Sequence, residues 1–281
     1  WIMERKAVIA ADSSANLFSA KEAEYVSVPL RIITDVKEYT DDEKLDVPGM
    51  LNDLKHYKGK SSTACPSVGD WLKAFGDADE VYGVSITSRL SGCHNAACIA
   101  AKDYEEMYPG RKVFILDSLS TGPEMELIIE KYKELIVQEL PFEKICEEIQ
   151  RYAARTHLIF SLESLTNFVR NGRVSPAVAA AANLLSIRIV GRASSEGELE
   201  PIYKSRGEKR AISQLYEIMK ESGYEGGKVR IRHSDNENAA QKLAELIRAD
   251  FPMCDLQIGK NKGLCSYYAE KGGILVGYEG N

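Results

Sequence analysis

The feature that most limits what this chain can become is an alternation. Ala7 to Ala11, Val81 to Ile86 and Lys112 to Leu116 are short apolar runs, each followed by polar turn residues and then a helical stretch. Strands that are apolar on both faces must be covered on both, and parallel neighbours joined by right-handed helical crossovers supply that cover. The pattern predicts an α/β fold whose first half carries a mostly parallel sheet. Val26 to Ile33 reads as a further strand, so this half holds at least four. Helices are expected over Val47 to Tyr57, Val68 to Phe75, His94 to Tyr108, Met125 to Gln138 and Phe142 to Ala154.

A second unit begins near His157. His157 to Phe160 reads as a strand, and Ser164 to Asn171 as a helix closed by Gly172 at the C′ position. Ser175 as N-cap and Pro176 at the first helical position open an Ala-rich helix to Ala182, expected to pack closely on its neighbours. Ile187 to Val190 and Leu199 to Ser205 flank Glu196-Gly197-Glu198, a hairpin turn. Then follow a helix (Glu208 to Glu221), a strand (Lys228 to Ser234), a helix (Glu237 to Phe251) and a last strand (Ile274 to Tyr278). No repeat or long linker is visible, so the join lies within residues 152–160. The reading is two α/β domains, residues 1–156 and 157–281 of the 281.

Composition removes several classes of function. With 36 Lys and Arg against 42 Asp and Glu, the net charge is −6, and no basic footprint for nucleic acid exists. The longest small-apolar run, Ala177 to Ala182, is far short of the roughly 20 residues of a transmembrane helix. Trp1 to Lys6 leads directly into the strand-like Ala7-Val8-Ile9-Ala10, which is no signal-peptide pattern. The 6 cysteines show no C-x-x-C spacing, which points to free thiols in a reducing cytoplasm.

Ligands of open α/β sheets bind beyond the carboxyl ends of the strands, and that rule singles out four loops. They are Asp12 to Asn16, Ser61 to Ser67 (ending in a capping box from Ser67 to Asp70), Thr87 to Gly92, and Asp117 to Thr121. All are rich in hydroxyls and poor in charge. Hydroxyls and free N–H groups at a helix start suit a carboxylate or phosphate oxygen. The plainer alternative is that these residues only cap helices.

A serine hydrolase is the competing chemistry. Its nearest elbow, Gly83-Val84-Ser85-Ile86-Thr87, lacks the second glycine and lies inside a strand, which leaves Ser91 with His94 as the candidate pair. No acid partner for His94 is evident. His56 reads as a solvated helix-end residue, and His157 and His233 as strand residues. Cys93, His94 and Cys98 cluster without the second ligand pair a metal centre needs, so no metal is expected. Phosphate-binding and dinucleotide-binding glycine motifs are absent, so no cofactor is expected.

Several motifs in order resemble the DegV family of bacterial fatty-acid-binding proteins. Asp12-Ser13-Ser14-Ala15-Asn16-Leu17 resembles its D-S-[ST]-A-D-L opening, and Val28-Pro29-Leu30 its V-P-L strand. Thr63-Ala64-Cys65-Pro66-Ser67 stands at T-S-Q-P-S, Ser88 to Cys93 at S-x-L-S-G-T, and Asp117-Ser118 at D-S. Leu165 through Gly172-Arg173-Val174 is similar to L-x-x-L-x-x-G-G-R-I, and Lys204 to Ala211 to K-x-R-G-x-K-K-A. The order and spacing hold over essentially the whole chain.

The resemblance implies two α/β domains with a long-chain fatty acid buried between or beneath them. It also implies a carrier subunit of a fatty acid kinase, whose separate ATP-using subunit phosphorylates the bound carboxylate for phospholipid synthesis. Carried over, Thr63 and Ser91 hold the carboxylate, with Gly92 and Ser88 beside them, and Arg173 helps dock the kinase. Neutral hydroxyls suit that task, because a Lys or Arg clamp would hold the carboxylate as a tight ion pair and lower its nucleophilicity. Should the hydroxyl pair not serve, Ser88, Thr87 and Ser118 are next in line.

The chain departs from the family pattern at named places. Ala64-Cys65 replaces Ser-Gln, Cys93-His94 replaces Thr-Tyr, and Ile187-Arg188-Ile189 stands where K-P-I is usual. The family's G-T-H-x-G-P-G turn, whose His reaches the carboxylate, is replaced by Gly263 to Ala269, which puts Cys265 in the His position. Fatty-acid binding is the expectation that survives these changes, and phosphoryl transfer is the step they bear on most.

Overall fold

The computed structural model describes residues 5–20, 23–181 and 187–280. Trp1 to Glu4 of the expected opening, and Ala182 at the expected end of the Ala-rich helix, lie outside the described residues. In chain order the strands are β1 (Ala7–Asp12), β2 (Tyr25–Val28), β3 (Arg31–Thr34), β4 (Glu38–Thr40), β5 (Ser61–Ala64), β6 (Glu80–Ser85) and β7 (Lys112–Asp117). The second half adds β8 (Thr156–Leu162), β9 (Ile187–Ala193), β10 (Leu199–Arg206), β11 (Val229–His233), β12 (Leu256–Lys260) and β13 (Ile274–Glu279). The helices are α1 (Val47–His56), α2 (Val68–Phe75), α3 (Cys93–Met107), α4 (Pro123–Val137) and α5 (Phe142–Ala153). They continue as α6 (Thr166–Arg170), α7 (Pro176–Ala181), α8 (Glu208–Glu221), α9 (Glu237–Asp250) and α10 (Gly263–Ala269).

The parallel sheet expected in the first half is present, in the order β2-β1-β6-β7. The chain leaves β1 toward β2 on one side and returns as β6 on the other, so the strand order reverses between β1 and β6. Crevices form at such a point because the two crossovers diverge there. Asp12, ending β1, spans it by accepting the Ile86 N–H at 2.7 Å.

Val26 to Ile33 is not one strand. The chain breaks at Pro29, which lacks the N–H that a ladder needs, and β3 joins an antiparallel sheet of order β4-β3-β5. Ser61 to Ala64, read from the sequence as part of a loop, is therefore strand β5. The second half forms a six-stranded sheet, β10-β9-β8-β13-β11-β12, in which only β11 and β12 run parallel. β8 starts at Thr156, one residue inside the expected first domain. The hairpin turn falls where expected, with Ser194 N–H on Glu198 O and Gly197 N–H on Ser194 O.

Strand alternation gives the six-stranded sheet two faces. Ile159, Val190, Val229, Ile231, Val276 and Tyr278 point into a core built with α8 and α9. Leu158, Phe160, Leu162, Ile189 and Leu275 point the opposite way, toward Phe168, Cys265 and Ala269. α7 is less packed than expected: Val178 touches this second cluster, whereas Ser175, Pro176, Ala177 and Ala180 are exposed.

Helix α4 joins the halves. It packs on β1 and β6 on one side and on β8, β11 and β13 on the other. Its first turns, Pro123 to Ile129, are buried all round. A Cβ on Gly277 of β13 would stand 2.4 Å from the Pro123 carbonyl carbon and 2.5 Å from the Glu124 nitrogen, so only glycine admits this approach. Arg232 reaches across from β11 to Glu126 (Nε to Oε1, 2.9 Å), and Arg230 to Glu130 (2.7 Å).

Candidate functional site

One cavity of about 310 Å³ lies between the switch point of the parallel sheet and the α6-side face of the six-stranded sheet. That is the lower end of the roughly 300–1,000 Å³ of ligand pockets. Its lining is of two chemical kinds. Leu158, Phe160, Leu162, Leu199, Phe168 and Leu275 are apolar, all but Phe168 on strands of the six-stranded sheet. Thr63, Thr87, Ser91, Ser120 and Thr121 supply hydroxyls, and among the described lining residues only Arg173 and Glu198 are charged.

The polar groups come from separate elements. Thr63 lies on β5, whose pairing with β3 (Ile32 opposite Thr63) fixes its direction. Its Oγ1 is 2.6 Å from the Tyr268 phenol oxygen. When Tyr268 donates, the Thr63 hydroxyl proton is free to serve a ligand oxygen in the cavity. Burial pushes the Tyr268 phenol upward, keeping it a protonated donor. Ser91 and Gly92 open α3, where Gly92 is the N-cap and the Ser91 hydroxyl oxygen accepts the Cys93 N–H at 3.3 Å. α4 opens at Gly122, next to Thr121, without a side-chain cap. Two 15-residue helices thus begin beside residues of the cavity lining, where their dipoles favour negative charge.

Most of the residues expected from the sequence meet here. Thr63, Ser91, Gly92, Cys265 and Arg173 all line the cavity. The buried Cys265 thiol donates to Ser14 O at 3.3 Å, and burial pushes its pKa far up. Arg173 is exposed at the rim, held by the paired bonds of a Schellman motif: its N–H to Phe168 O (2.9 Å) and Gly172 N–H to Val169 O (3.1 Å). Gly172 takes the expected C′ role at φ +63°.

Ser88 is not brought in. It is exposed, and its N–H turns to the Asp117 carboxylate at 3.2 Å. Ser118 donates instead to Ser120 O. Thr87 lines the cavity, yet its hydroxyl donates to Gly197 O at 2.9 Å, docking the β9–β10 turn on the rim. The loop after β1 also stays out of the cavity. Asp12 there accepts Ser14 N–H and Ile86 N–H, and burial pushes its pKa up to about 6. For that loop the capping alternative is the correct one.

The hydrolase pair is not assembled. His94 Nδ1 faces Ser85 Oγ at 3.2 Å and Nε2 faces Cys98 Sγ at 3.5 Å, while Ser91 Oγ donates to Cys93 Sγ at 3.2 Å. His94 and Cys98 gather no third metal ligand, and among the described residues no group of three His, Cys, Asp or Glu could hold a metal ion. No helix among them is long and apolar enough to cross a membrane. All 6 cysteines are free.

Tyr268 is not reached from the sequence, where Gly263 to Ala269 reads as an altered turn rather than as helix α10. Its Leu264, Tyr267 and Tyr268 stand at i, i+3 and i+4, the spacing of one helical face, which was the available signal. The apolar wall escaped as particular residues, although Leu158, Phe160 and Leu162 alternate within one strand.

Fold and site together define an α/β protein with an amphipathic pocket between its sheets. The chain belongs to the DegV family: the family model, described as "Uncharacterised protein, DegV family", matches residues 6–279. A DegV domain-containing protein of Streptococcus pneumoniae strain R6 is 42% identical over 255 residues, 91% of either chain. The fold matches a DegV family protein from Eubacterium eligens loaded with heptadecanoic acid (TM-score 0.95, 44% identity, 98% of this chain and 100% of that one). It matches equally the Streptococcus pneumoniae Fatty Acid Kinase (Fak) B3 protein loaded with linoleic acid (TM-score 0.95, 40% identity, 98% and 100%). The fold is thus that of DegV fatty-acid-binding proteins.

Proposed function

We propose that this chain holds a long-chain fatty acid in the amphipathic cavity and offers its carboxylate to a separate ATP-using kinase subunit. The observation that carries the reading is the amphipathic lining of the cavity. Apolar side chains of β8, β10, β13 and α6 suit an acyl chain, and uncharged donors at the starts of α3 and α4 suit a carboxylate. In this reading Thr63, Ser91 and Gly92 receive the head group, with Tyr268 holding the Thr63 hydroxyl. Burial of each methylene supplies about 0.8 kcal/mol, so a long chain provides most of the affinity and the hydroxyls provide orientation.

The chain itself performs no phosphoryl transfer in this scheme. It keeps the carboxylate ionised and nucleophilic between neutral donors, and Arg173 at the rim serves the partner. The relatives loaded with heptadecanoic and linoleic acid support the ligand class, and the kinase name carried by one of them supports the partner. Organic extraction of the purified protein followed by mass spectrometry tests the first half. A protein that repeatedly yields no acyl chain and takes none up would overturn it. ATP-dependent acyl phosphate formation with a cognate kinase tests the second half, and no product from a lipid-loaded protein would overturn that.

A further inference from the structure

The six-stranded sheet has carboxyl strand ends of its own. β11 and β12 run parallel, in register from Val229 opposite Leu256 to His233 opposite Lys260, and α9 makes the crossover between them. A groove of about 780 Å³ opens beyond the ends of these two strands, with residues of α1 on its lining. It is separate from the cavity described above. α6 and α10 give Asn167, Ser266 and Tyr267 to the groove, and Phe168, Cys265 and Tyr268 to the cavity.

Two buried side chains at the end of β11 keep a hydrogen-bond donor unused. His233 is 3% exposed and lines the groove. Its Nδ1 accepts the Asn236 N–H at 3.2 Å, so the neutral ring carries its proton on Nε2. Burial lowers the His233 pKa and so favours that neutral form. Nε2 has no partner among the described residues. Unlike His157 Nε2 it is not sealed from solvent, so the ring's opening lies on the groove. Ser234, 4% exposed, accepts from Asn261 Nδ2 at 3.0 Å, and its own hydroxyl proton has no acceptor among the described residues. α9 starts at the same place without a side-chain cap, because the Asn236 side chain donates to Glu208 and to Gly272 O instead. Its first N–H groups are therefore free for a ligand.

We propose that this groove binds a small organic phosphate monoester, with the phosphate between the end of β11 and the start of α9 and the organic part along α1. A phosphate presents three acceptor oxygens, enough for an imidazole N–H, a hydroxyl and helix N–H groups together, whereas a carboxylate presents two. The charges of the lining agree. Lys55, Arg170, Lys260 and Lys271 stand against Asp235, Glu237 and Glu270, and two of these acids are engaged. Asp235 pairs with Lys271 at 3.5 Å, and Glu270 accepts the Asn167 N–H at 3.4 Å. Val47, Leu51 and Leu54 of α1 add an apolar strip that inorganic phosphate would leave uncovered, and the volume is that of an ordinary small-molecule site. The inference requires nothing of what fills the cavity.

The test is a nuclear magnetic resonance titration of the isotope-labelled full chain with phenyl phosphate, inorganic phosphate and benzoate. Phenyl phosphate should shift the backbone amides of Glu237, Asn238 and Ala239 and the His233 imidazole, with saturation. Inorganic phosphate should move the same signals at least fivefold more weakly, and benzoate should leave them in place. His233→Phe, which keeps a ring but removes the donor, should weaken phenyl phosphate at least tenfold. Lys260→Ala, a change at an exposed side chain, should weaken it at least threefold. No saturation by about 10 mM phenyl phosphate would overturn the site. Shifts at Thr63, Ser91 and Gly92 instead would overturn its placement. Inorganic phosphate or benzoate binding as tightly as phenyl phosphate would overturn the ligand class. Parent-like binding by Lys260→Ala would also count against the site, so the test survives a His233→Phe chain that fails to fold.

Discussion

The Thr63 hydroxyl and the Tyr268 phenol lie 2.6 Å apart, although 205 positions separate them in the chain. One belongs to a small antiparallel sheet of the first half and the other to α10 of the second, so the contact exists only once both halves have folded around the cavity. It also sets the direction in which Thr63 can donate.

Removing either group should weaken lipid binding by different routes. Thr63→Val removes the proposed carboxylate donor and should cost roughly 1.5–3 kcal/mol, about a tenfold to hundredfold rise in Kd. Tyr268→Phe leaves the hydroxyl but frees its rotation, and should cost about 0.5–1.5 kcal/mol. Fluorescent fatty-acid displacement measures both. Equal affinities for parent and Thr63→Val would remove Thr63 from the head-group site, leaving Ser91 and Ser120 as donors.

Arg173 is exposed at the cavity rim and belongs to no ion pair among the described residues. Arg173→Ala should leave lipid affinity within about twofold while lowering the kinase-coupled rate tenfold or more. Steady-state phosphorylation at varied carrier concentration checks this, with the loss expected in the apparent KM. A loss of lipid affinity that accounts for the whole effect would make Arg173 a head-group contact instead.

Glu124 is fully buried in the first turn of α4, with Thr156 donating to it at 2.8 Å, and burial pushes its pKa up to about 7. Between the ordinary carboxylate range and about 7, the folded protein keeps a proton that the unfolded chain has released. This contribution is therefore present at low pH and lost as pH rises through that window. Glu124→Gln should stabilise the protein by up to about 3 kcal/mol at pH 8 and by almost nothing at pH 4. Urea unfolding at the two pH values measures it, and a gain at pH 4 equal to that at pH 8 would refute it.

Gly277 leaves no room for a side chain against the start of α4. Gly277→Ala must move backbone atoms rather than a flexible side-chain tip, so a destabilisation of about 3 kcal/mol is expected. Denaturant titration reads it directly. A cost under about 1 kcal/mol would mean that α4 and β13 part easily.

Elements whose signal is local were legible in the sequence. α2 and α8 occupy the expected residues because caps and periodicity agree there, the Ser67–Asp70 capping box for α2 and a long amphipathic repeat for α8. The parallel strands β1 and β6 were legible because burial on both faces leaves them largely apolar, and β7, a partly buried edge strand, because Val113 to Leu116 is an unbroken apolar run. β5 was not, because Ser61-Ser62-Thr63-Ala64 carries no apolar alternation and owes its strand geometry to pairing with β3. β12 was missed for a related reason: Leu256 is its one buried residue, since it lies at the edge of its sheet. Of the site, Thr63, Ser91, Gly92, Cys265 and Arg173 were reached through the family resemblance rather than through their own chemistry. The Ser88 expectation failed on position, because Asp117 captures its backbone and turns it outward.

Helix α4 is gripped by both large sheets, and this bears on how the protein comes apart. Its apolar residues Met125, Leu127, Ile128 and Ile129 lie in the core of the first half, whereas Glu124, Glu126 and Glu130 meet the six-stranded sheet through Thr156, Arg232 and Arg230. Separating the sheets would part the close approach at Gly277 and break these pairs, and a buried ion pair that loses one partner costs about 3–5 kcal/mol. Opening one lobe alone therefore carries a cost at the seam itself. Hydrogen exchange along β1, β6, β8 and β13 should therefore report one shared opening free energy, that of global unfolding.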